Sequence, residues 1–336
     1  MVTALALMDR PSWEQQFDQP RIDRLRRLAT VPDPVWVPSW RAPGLDDRLR
    51  DVEVLLTGWG APPLDGTALA RMPRLRTVLH CAGSVRDLIG PALWEHGITV
   101  STSADLNADP VADFTLGAIL MAGKKAPFLA AEARRHRDDW AAYRAGWGAR
   151  STTGLTVGLV GFSRIGRRVA GLVTRTLRDV TCLVADPIVG AAEVAAAGAR
   201  LADLDEMLPR LDVLSIHAPE LPSTRHLISA ARLARLPDRC CVINTARGSL
   251  IDTAALTAEC ASGRLTAILD VTDPEPLPAD SVLYDLPNVM LTPHIAGSLD
   301  GEAQRMADGA LDELERLAAG RPLLRPVRLA DMAHSA

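Results

Sequence analysis

The 336-residue sequence lacks an excess of charge of either sign and lacks any long hydrophobic run. Its 37 Lys and Arg stand against 41 Asp and Glu, for a formal net charge of −4. That balance excludes the concentrated basic surface with which nucleic-acid-binding domains hold phosphate backbones. Lysine is nearly missing: Lys124 and Lys125 are the only two, and arginine supplies the other basic residues. That skew reads as coding bias. No apolar stretch approaches the roughly 20 residues that span a bilayer. The opening MVTALALMDR has a short apolar core with no basic leader and no cleavage pattern, so it reads as a buried strand. Cysteine is scarce as well, with Cys81, Cys182, Cys240, Cys241 and Cys260. An odd number at these spacings supports neither a disulfide framework nor a metal site. Cys240 and Cys241 lie in the apolar run CCVINT, where a thiol acts as a small hydrophobe. The expectation is a cytoplasmic protein in a reducing setting, with no metal, nucleic-acid or membrane partner.

What is present is the composition of a globular protein, 48% hydrophobic and 23% charged, with chain enough for two domains. Between residues 154 and 292, β-rich apolar runs alternate with helical spacing. LTVGLVG is followed by RIGRRVAGLVTRTL, with Ile165, Val169, Leu172 and Val173 on one helical face. VTCLVAD, LDVLSIHAP, CCVINTA, LTAILDV and NVMLTPH continue the strands. Their nearly continuous apolar character suits burial on both faces, as in a parallel sheet. The alternation predicts a doubly wound α/β sheet over 105–295. Residues 1–104 read as a second, smaller α/β unit with strands at VEVLLTG, LRTVLHCAG and ITVSTS. A long helix is expected to start near Asn107 or Asp109 as its cap, with Pro110 in the first turn. The last helix, ending at Gly320 before Pro322, is expected to return to the first unit, so that 296–336 joins 1–104.

The segment VGLVGFSRIGRRVA nearly completes Gly-x-Gly-x-x-Gly, the loop that holds a dinucleotide pyrophosphate. Gly161 and Gly166 are in place, and Ser163 stands at the middle glycine. The loop follows an apolar strand and opens a helix, as the motif requires. Gly161 serves the turn and Gly166 the strand–helix packing. A serine with negative φ costs only space at the ligand, and its hydroxyl can donate to a phosphate. Free N–H groups at the helix start favour an anion. Arg164 either adds a phosphate contact or is solvated. Asp186 ends the next strand, 20 residues after Gly166, where a carboxylate meets ribose hydroxyls and repels a 2′-phosphate. NAD is therefore expected over its phosphorylated form, unless Asp186 is simply the turn residue before Pro187.

Three later stretches each place polar residues just beyond an apolar strand: NTARGSLID at 244–252, LDVTDPEPLP at 269–278 and NVMLTPHIAG at 288–297. Strand carboxyl ends face the ligand crevice of such sheets, so Arg247, Glu275 and His294 could converge. With NTARG, LDV…EP and TPHIAG in this order, the chain resembles the D-isomer-specific 2-hydroxyacid dehydrogenase family. The likeness covers nearly the whole chain and is strongest over 107–297.

The resemblance implies a Rossmann NAD-binding domain and a discontinuous, flavodoxin-like substrate domain. It implies that Arg247 binds the substrate carboxylate and carbonyl, that His294 is the acid/base, and that Glu275 is its partner. Asp270 would contact the nicotinamide carboxamide, or else cap its strand end. The chemistry suits the residue types. Imidazole takes or returns a proton near neutral pH, a carboxylate orients it, and a guanidinium matches a carboxylate and keeps its charge. Ile165, Ala218, Thr245, Ala246 and Gly297 fall at the cofactor side, and His217 either lines that side or is packed. HCAGSVRDLI matches the loop that offers backbone N–H groups to substrate, so Ala82, Gly83, Ser84 and Val85 are candidates, although the usual second glycine is absent. Arg86 either meets a second anionic group or faces outward. The stretch 123–153, with Trp140, Tyr143 and Trp147, is either a solvated helix with packed aromatics or an arm that embraces a second subunit in a homodimer. No regulatory domain is expected after the last helix. The leading expectation is interconversion of a 2-hydroxy acid and a 2-keto acid. The rivals are an NAD(H)-sensing regulator on the same fold and a phosphite-type dehydrogenase; a formate enzyme is disfavoured because it pairs its histidine with glutamine.

Overall fold

In the computed structural model, which describes residues 1–333, the chain divides into two compact units. One comprises Met1–Asn107 and resumes at Ser298; the other is the continuous segment Ala108–Gly297. The first contains β1 (Ala4–Leu7), β2 (Trp36–Val37), β3 (Val54–Thr57), β4 (Thr77–His80) and β5 (Thr99–Thr102). The second contains β6 (Thr156–Val160), β7 (Thr181–Ala185), β8 (Arg200–Leu201), β9 (Val213–Ile216), β10 (Cys241–Asn244), β11 (Thr266–Leu269) and β12 (Val289–Leu291). β13 (Pro326–Val327) rejoins the first unit.

Among the described residues the second unit carries a seven-stranded sheet in the order β12-β11-β10-β9-β6-β7-β8. Every pair is parallel. The chain winds outward from β6 through β7 to β8, then returns to place β9 on the other side of β6. The winding therefore reverses between β6 and β9, where the strand ends of such sheets leave a crevice. Both faces are buried, which is why the strands read as unbroken apolar runs. In β10, Val242 packs into one cluster and Cys241 and Ile243 into the other, as the two-residue period of a strand dictates. The five cysteines are buried and free. Burial pushes the Cys81, Cys182 and Cys260 thiols up to about 12 and the Cys241 thiol to about 11.

The first unit's sheet runs β13-β5-β4-β3-β1-β2, parallel except for β13. Leu5, Leu7, Leu55 and Val78 face one core; Ala6, Leu56 and Leu79 face the other. The helix Gly301–Ala318 closes this second core with Ala307, Ala310, Leu311 and Leu314. It stops at Ala319, and Gly320 follows with φ +67, the left-handed position that favours glycine after a helix. No helix among the described residues is long and apolar enough to cross a membrane.

One expected boundary is corrected. The long helix spans Ala104–Lys124, so Pro110 lies inside it and neither Asn107 nor Asp109 is its cap. The helical pairing already begins with the Asn107 amide on the Ser103 carbonyl. Both side chains serve elsewhere. Asn107 Oδ1 accepts from the Ser298 amide at 2.9 Å, and Asp109 Oδ1 accepts from Arg168 Nε at 2.7 Å. Proline offers no N–H to the carbonyl four residues back, a local cost that the surrounding packing overrides.

Candidate active site

The loop after β6 is shaped by its two glycines. Gly161 has φ +97, and a Cβ there would lie 2.7 Å from the His217 backbone. A Cβ on Gly166 would lie 2.1 Å from the Gly161 carbonyl oxygen. Only glycine at both places lets the turn close against β9. Ser163 has φ −79, so its side chain costs the backbone nothing. It is exposed and precedes the 13-residue helix Arg164–Thr176, whose start no side chain caps. Such an end, with its unsatisfied N–H groups and positive partial charge, suits an anion.

His217 follows β9 and lies against this loop. It is 4% exposed; its Nε2 meets Ser215 Oγ at 3.0 Å, and its buried Nδ1 has no partner. Burial pushes it down to about 3, so the ring is neutral at physiological pH. Ala218 and Ala246 are nearly buried, and Ile165 and Gly297 are half-buried. Thr245 Oγ1 pairs with Thr115 Oγ1 at 2.9 Å. A glycine turn at the winding reversal, an uncapped helix start and an orphaned buried nitrogen beside them fit a dinucleotide. Gly161, Ser163, Arg164, Ile165 and Gly166 would hold its pyrophosphate.

Two carboxylates are also organising groups. Asp186 Oδ2 accepts from the Phe162 amide at 2.8 Å, and Oδ1 accepts from Ile188 at 2.9 Å and Val189 at 3.3 Å. It therefore ties the glycine loop to the end of β7 and makes the turn through Pro187. Asp270, 2% exposed, accepts from Thr292 Oγ1 and the Ile295 amide on Oδ1, and from the Ala296 amide on Oδ2. Its carbonyl also receives the His294 amide at 3.0 Å. A single buried side chain thus fixes the loop that carries the histidine.

His294 and Glu275 meet directly, with Nδ1 2.7 Å from Oε1. Their side chains are 50% and 42% exposed, so the pair faces solvent rather than the core. Glu275 Oε2 also accepts weakly from the Thr272 amide at 3.3 Å. His294 has φ +55, a left-handed backbone that a β-carbon disfavours. Strain of this kind persists where the surroundings impose it, and here Asp270 does so.

Arg247 leaves β10, which pairs with β11, as β11 does with β12. Asn244 shapes its turn: Oδ1 accepts from the Ala246 amide at 3.0 Å, and Nδ2 donates to the Arg247 carbonyl at 2.8 Å. Gly248 lets this turn press against the acid loop, since a Cβ there would lie 1.9 Å from the Thr272 carbonyl carbon. Arg247, Asp270, Glu275 and His294 thus leave the carboxyl ends of three adjacent parallel strands. A guanidinium and an imidazole paired with a carboxylate thus share one rim of the sheet, residue types able to hold an acid and move a proton.

The sequence reading missed Gly248, Thr292, Glu220 and Ser249. Glu220 Oε1 accepts from Ser249 Oγ, and Oε2 lies 3.8 Å from Arg247 Nε. The NTARG stretch signalled Gly248; nothing local signalled Glu220.

In the first unit, the loop Ala82–Val85 follows β4. The Ala82 carbonyl accepts from the Ser103 amide at 3.1 Å, and Ser84 Oγ accepts from the Arg86 amide at 3.3 Å. Gly83 and Ser84 are half-buried, and Ala82 and Val85 are buried. Beneath the loop, Gln16 Nε2 donates to the Cys81 carbonyl at 3.0 Å. His80 pairs Nδ1 with Thr57 Oγ1 at 2.9 Å, and burial pushes it down to about 4. Arg86 donates to the Met332 carbonyl. His334 lies outside the described residues.

Comparison with known proteins follows the same lines. The chain is 34% identical over 259 residues to D-3-phosphoglycerate dehydrogenase of Mycobacterium tuberculosis, covering 77% of this chain and 48% of that one. The chain thus spans about half the length of the phosphoglycerate relatives it matches. It is 33% identical to (S)-sulfolactate dehydrogenase of Chromohalobacter salexigens, over 81% of this chain and 88% of that one. Apo D-mandelate dehydrogenase of Rhodotorula graminis superposes with a TM-score of 0.80 at 25% identity, covering 98% of each chain. The sequence model of the D-isomer specific 2-hydroxyacid dehydrogenase NAD binding domain matches residues 116–296. That match takes in the Gly161 loop and the His294–Glu275 pair and exceeds half of the chain, so the protein belongs to the D-isomer specific 2-hydroxyacid dehydrogenase family.

Proposed function

We propose that this protein is an NAD-dependent oxidoreductase that interconverts a D-2-hydroxy acid and its 2-keto acid, working as a 2-ketoacid reductase. The observation that carries the reading is the 2.7 Å contact of His294 Nδ1 with Glu275 Oε1. With Nδ1 directed at the carboxylate, Nε2 is the nitrogen left for the substrate oxygen. In reduction His294 gives a proton to the C2 oxygen; in oxidation it removes the hydroxyl proton. Glu275 orients the ring. Arg247 holds the substrate carboxylate and polarises the neighbouring carbonyl. Bound NAD(H) supplies the hydride acceptor or donor. Asp186 has lone pairs left for ribose hydroxyls after its backbone bonds, and its charge disfavours a 2′-phosphate. The same reading gives Asp270 a contact to the nicotinamide carboxamide. Ala82, Gly83, Ser84 and Val85 would serve the substrate carboxylate. The substrate is a small 2-keto acid; relatives are named for phosphoglycerate, sulfolactate, glyoxylate and mandelate.

The test is NADH absorbance against glyoxylate, hydroxypyruvate, pyruvate, phenylpyruvate and phosphonopyruvate. Steady oxidation with at least one is expected; none with any would defeat the reading and favour a regulator. We also infer a homodimer. His136, Tyr143, Trp147 and Arg239 line an open groove of about 570 Å³ on the second unit. Trp147 is stacked on Phe128 and Tyr143 on His136, while Trp140 is 57% exposed. The packed pair would form the platform and Trp140 the projecting anchor. Twice the chain mass in light scattering is expected; the mass of one chain would refute it. Free buried cysteines support a cytoplasmic setting.

A further inference from the structure

The carboxylate of Glu220 has no part in the proton relay, yet it faces the group assigned to bind substrate. It lies just beyond β9, in the run SIHAPELPSTR. Its Oε1 takes the hydroxyl of Ser249, a residue only 7% exposed. Its Oε2 stands 3.8 Å from Arg247 Nε, and the two side chains are 54% and 44% exposed. On another side, Arg247 Nη1 donates to the Ala246 carbonyl at 2.6 Å. The guanidinium is therefore bounded on its Nε edge by Glu220 and at Nη1 by backbone.

A long arginine stem that is half-exposed loses rotamer freedom when a ligand fixes it, and prior restraint lowers that loss. A planar fork restrained at two edges presents the remaining edge in one direction, which is what bidentate capture of a carboxylate needs. An anion beside the arginine also opposes an incoming carboxylate. At 3.8 Å the pair is longer than a hydrogen bond, and between half-exposed groups its charge is screened. Glu220 thus bounds the Nε edge without a hydrogen bond to it, and screening leaves little repulsion for the substrate. Building on the dehydrogenase reading above, we propose that Glu220, anchored by Ser249, is a positioning residue that presents Arg247 to the substrate carboxylate.

The experiment compares the full-length wild type with E220A, E220Q and S249A. Each is assayed for NADH-dependent reduction of the best ketoacid, and each NADH complex is titrated with oxamate by calorimetry. E220A removes anchor and charge, and KM is expected to rise about tenfold while kcat falls by less. S249A keeps the charge and loosens the anchor, giving a rise of about threefold in KM. E220Q keeps an oxygen for the Ser249 hydroxyl, and KM returns to within about twofold of wild type. Oxamate Kd follows the same order. A KM and Kd unchanged or lowered in E220A, or no better in E220Q than in E220A, would overturn the proposal. If wild type turns over no ketoacid, the dehydrogenase reading falls, and the oxamate series still decides on Glu220. Wild type that neither turns over nor binds oxamate sinks both.

Discussion

Each unit buries a histidine beside a glycine-bearing loop at the end of a parallel strand, and neither is the histidine placed for chemistry. His80 lies under the Ala82–Val85 loop, and His217 lies against the Gly161–Gly166 loop. Both give one ring nitrogen to a hydroxyl, Thr57 in the first unit and Ser215 in the second. In His217 the other nitrogen is buried without a partner, whereas the Ser84 backbone offers His80 a hydrogen bond that opposes the effect of burial. Burial still holds both neutral, at about 4 and about 3. His294 is the opposite case, exposed, paired with a carboxylate and held at a strained φ. The residue type does not decide the role. Solvent access and a charged partner suit His294 to the proton transfer proposed for it, and enclosure makes the other two packing pieces.

The largest expected effect breaks that comparison most directly. His294→Asn should lower kcat by about 10²–10⁴-fold, with NADH binding retained in a fluorescence titration. His80→Asn and His217→Asn should leave far more of kcat. If His217→Asn matches the loss at His294, the division between carrier and packing piece is wrong.

Acid comes next. Both buried histidines have folded pKa values below the ordinary 6.5, so the unfolded chain binds more protons. Their contribution to stability is fully present above about pH 6.5 and is lost as pH falls toward about 4 and about 3. Between pH 7 and 5 each should cost about 2 kcal/mol, measured by urea unfolding. His80→Asn and His217→Asn should each flatten the profile. A flat wild-type profile would contradict the enclosure of both rings.

The loops differ in tolerance as well. Gly161→Ala must accept φ +97 and a backbone contact at 2.7 Å, whereas a Cβ on Gly83 meets only Asn107 Nδ2 at 3.6 Å. Thermal unfolding should show a loss of about 2–3 kcal/mol for the first and within about 0.5 kcal/mol for the second. The smallest effect is expected at Asp186. Asp186→Ser should reduce the preference for NADH over NADPH by about tenfold in kcat/KM, because one repelling charge is removed. An unchanged ratio would leave Asp186 as a turn residue only.

The second unit's sheet and its His294–Glu275 pair were legible because their residues lie in short stretches. Gly161, Gly166 and Asp186 sit within one strand–helix–strand unit. Arg247, Glu275 and His294 each follow an apolar run that marks a strand end, so parallel pairing brings those ends to one rim. The illegible parts depend on partners remote in sequence. Glu220 meets Ser249 and Arg247 only after β9 and β10 pair. Pro110 pointed to a helix start near it, but the helix begins at Ala104 because tertiary bonds use Asn107 and Asp109 elsewhere. Asp270 and Asp186 read as ligand contacts, yet their oxygens first satisfy backbone amides, which no local pattern announces. His80 stood in an ordinary strand, and only enclosure beside Thr57 gives it a place.

The left-handed backbone at His294 sets stability and turnover against each other. Glycine would relax that peptide conformation at no steric cost, so the fold alone gives the chain no reason to keep a β-carbon there. If His294 carries the proposed proton transfer, an imidazole on such a backbone survives only while the cell has a use for that turnover, and a lineage that lost the substrate should lose this residue early while the sheet beneath it endures.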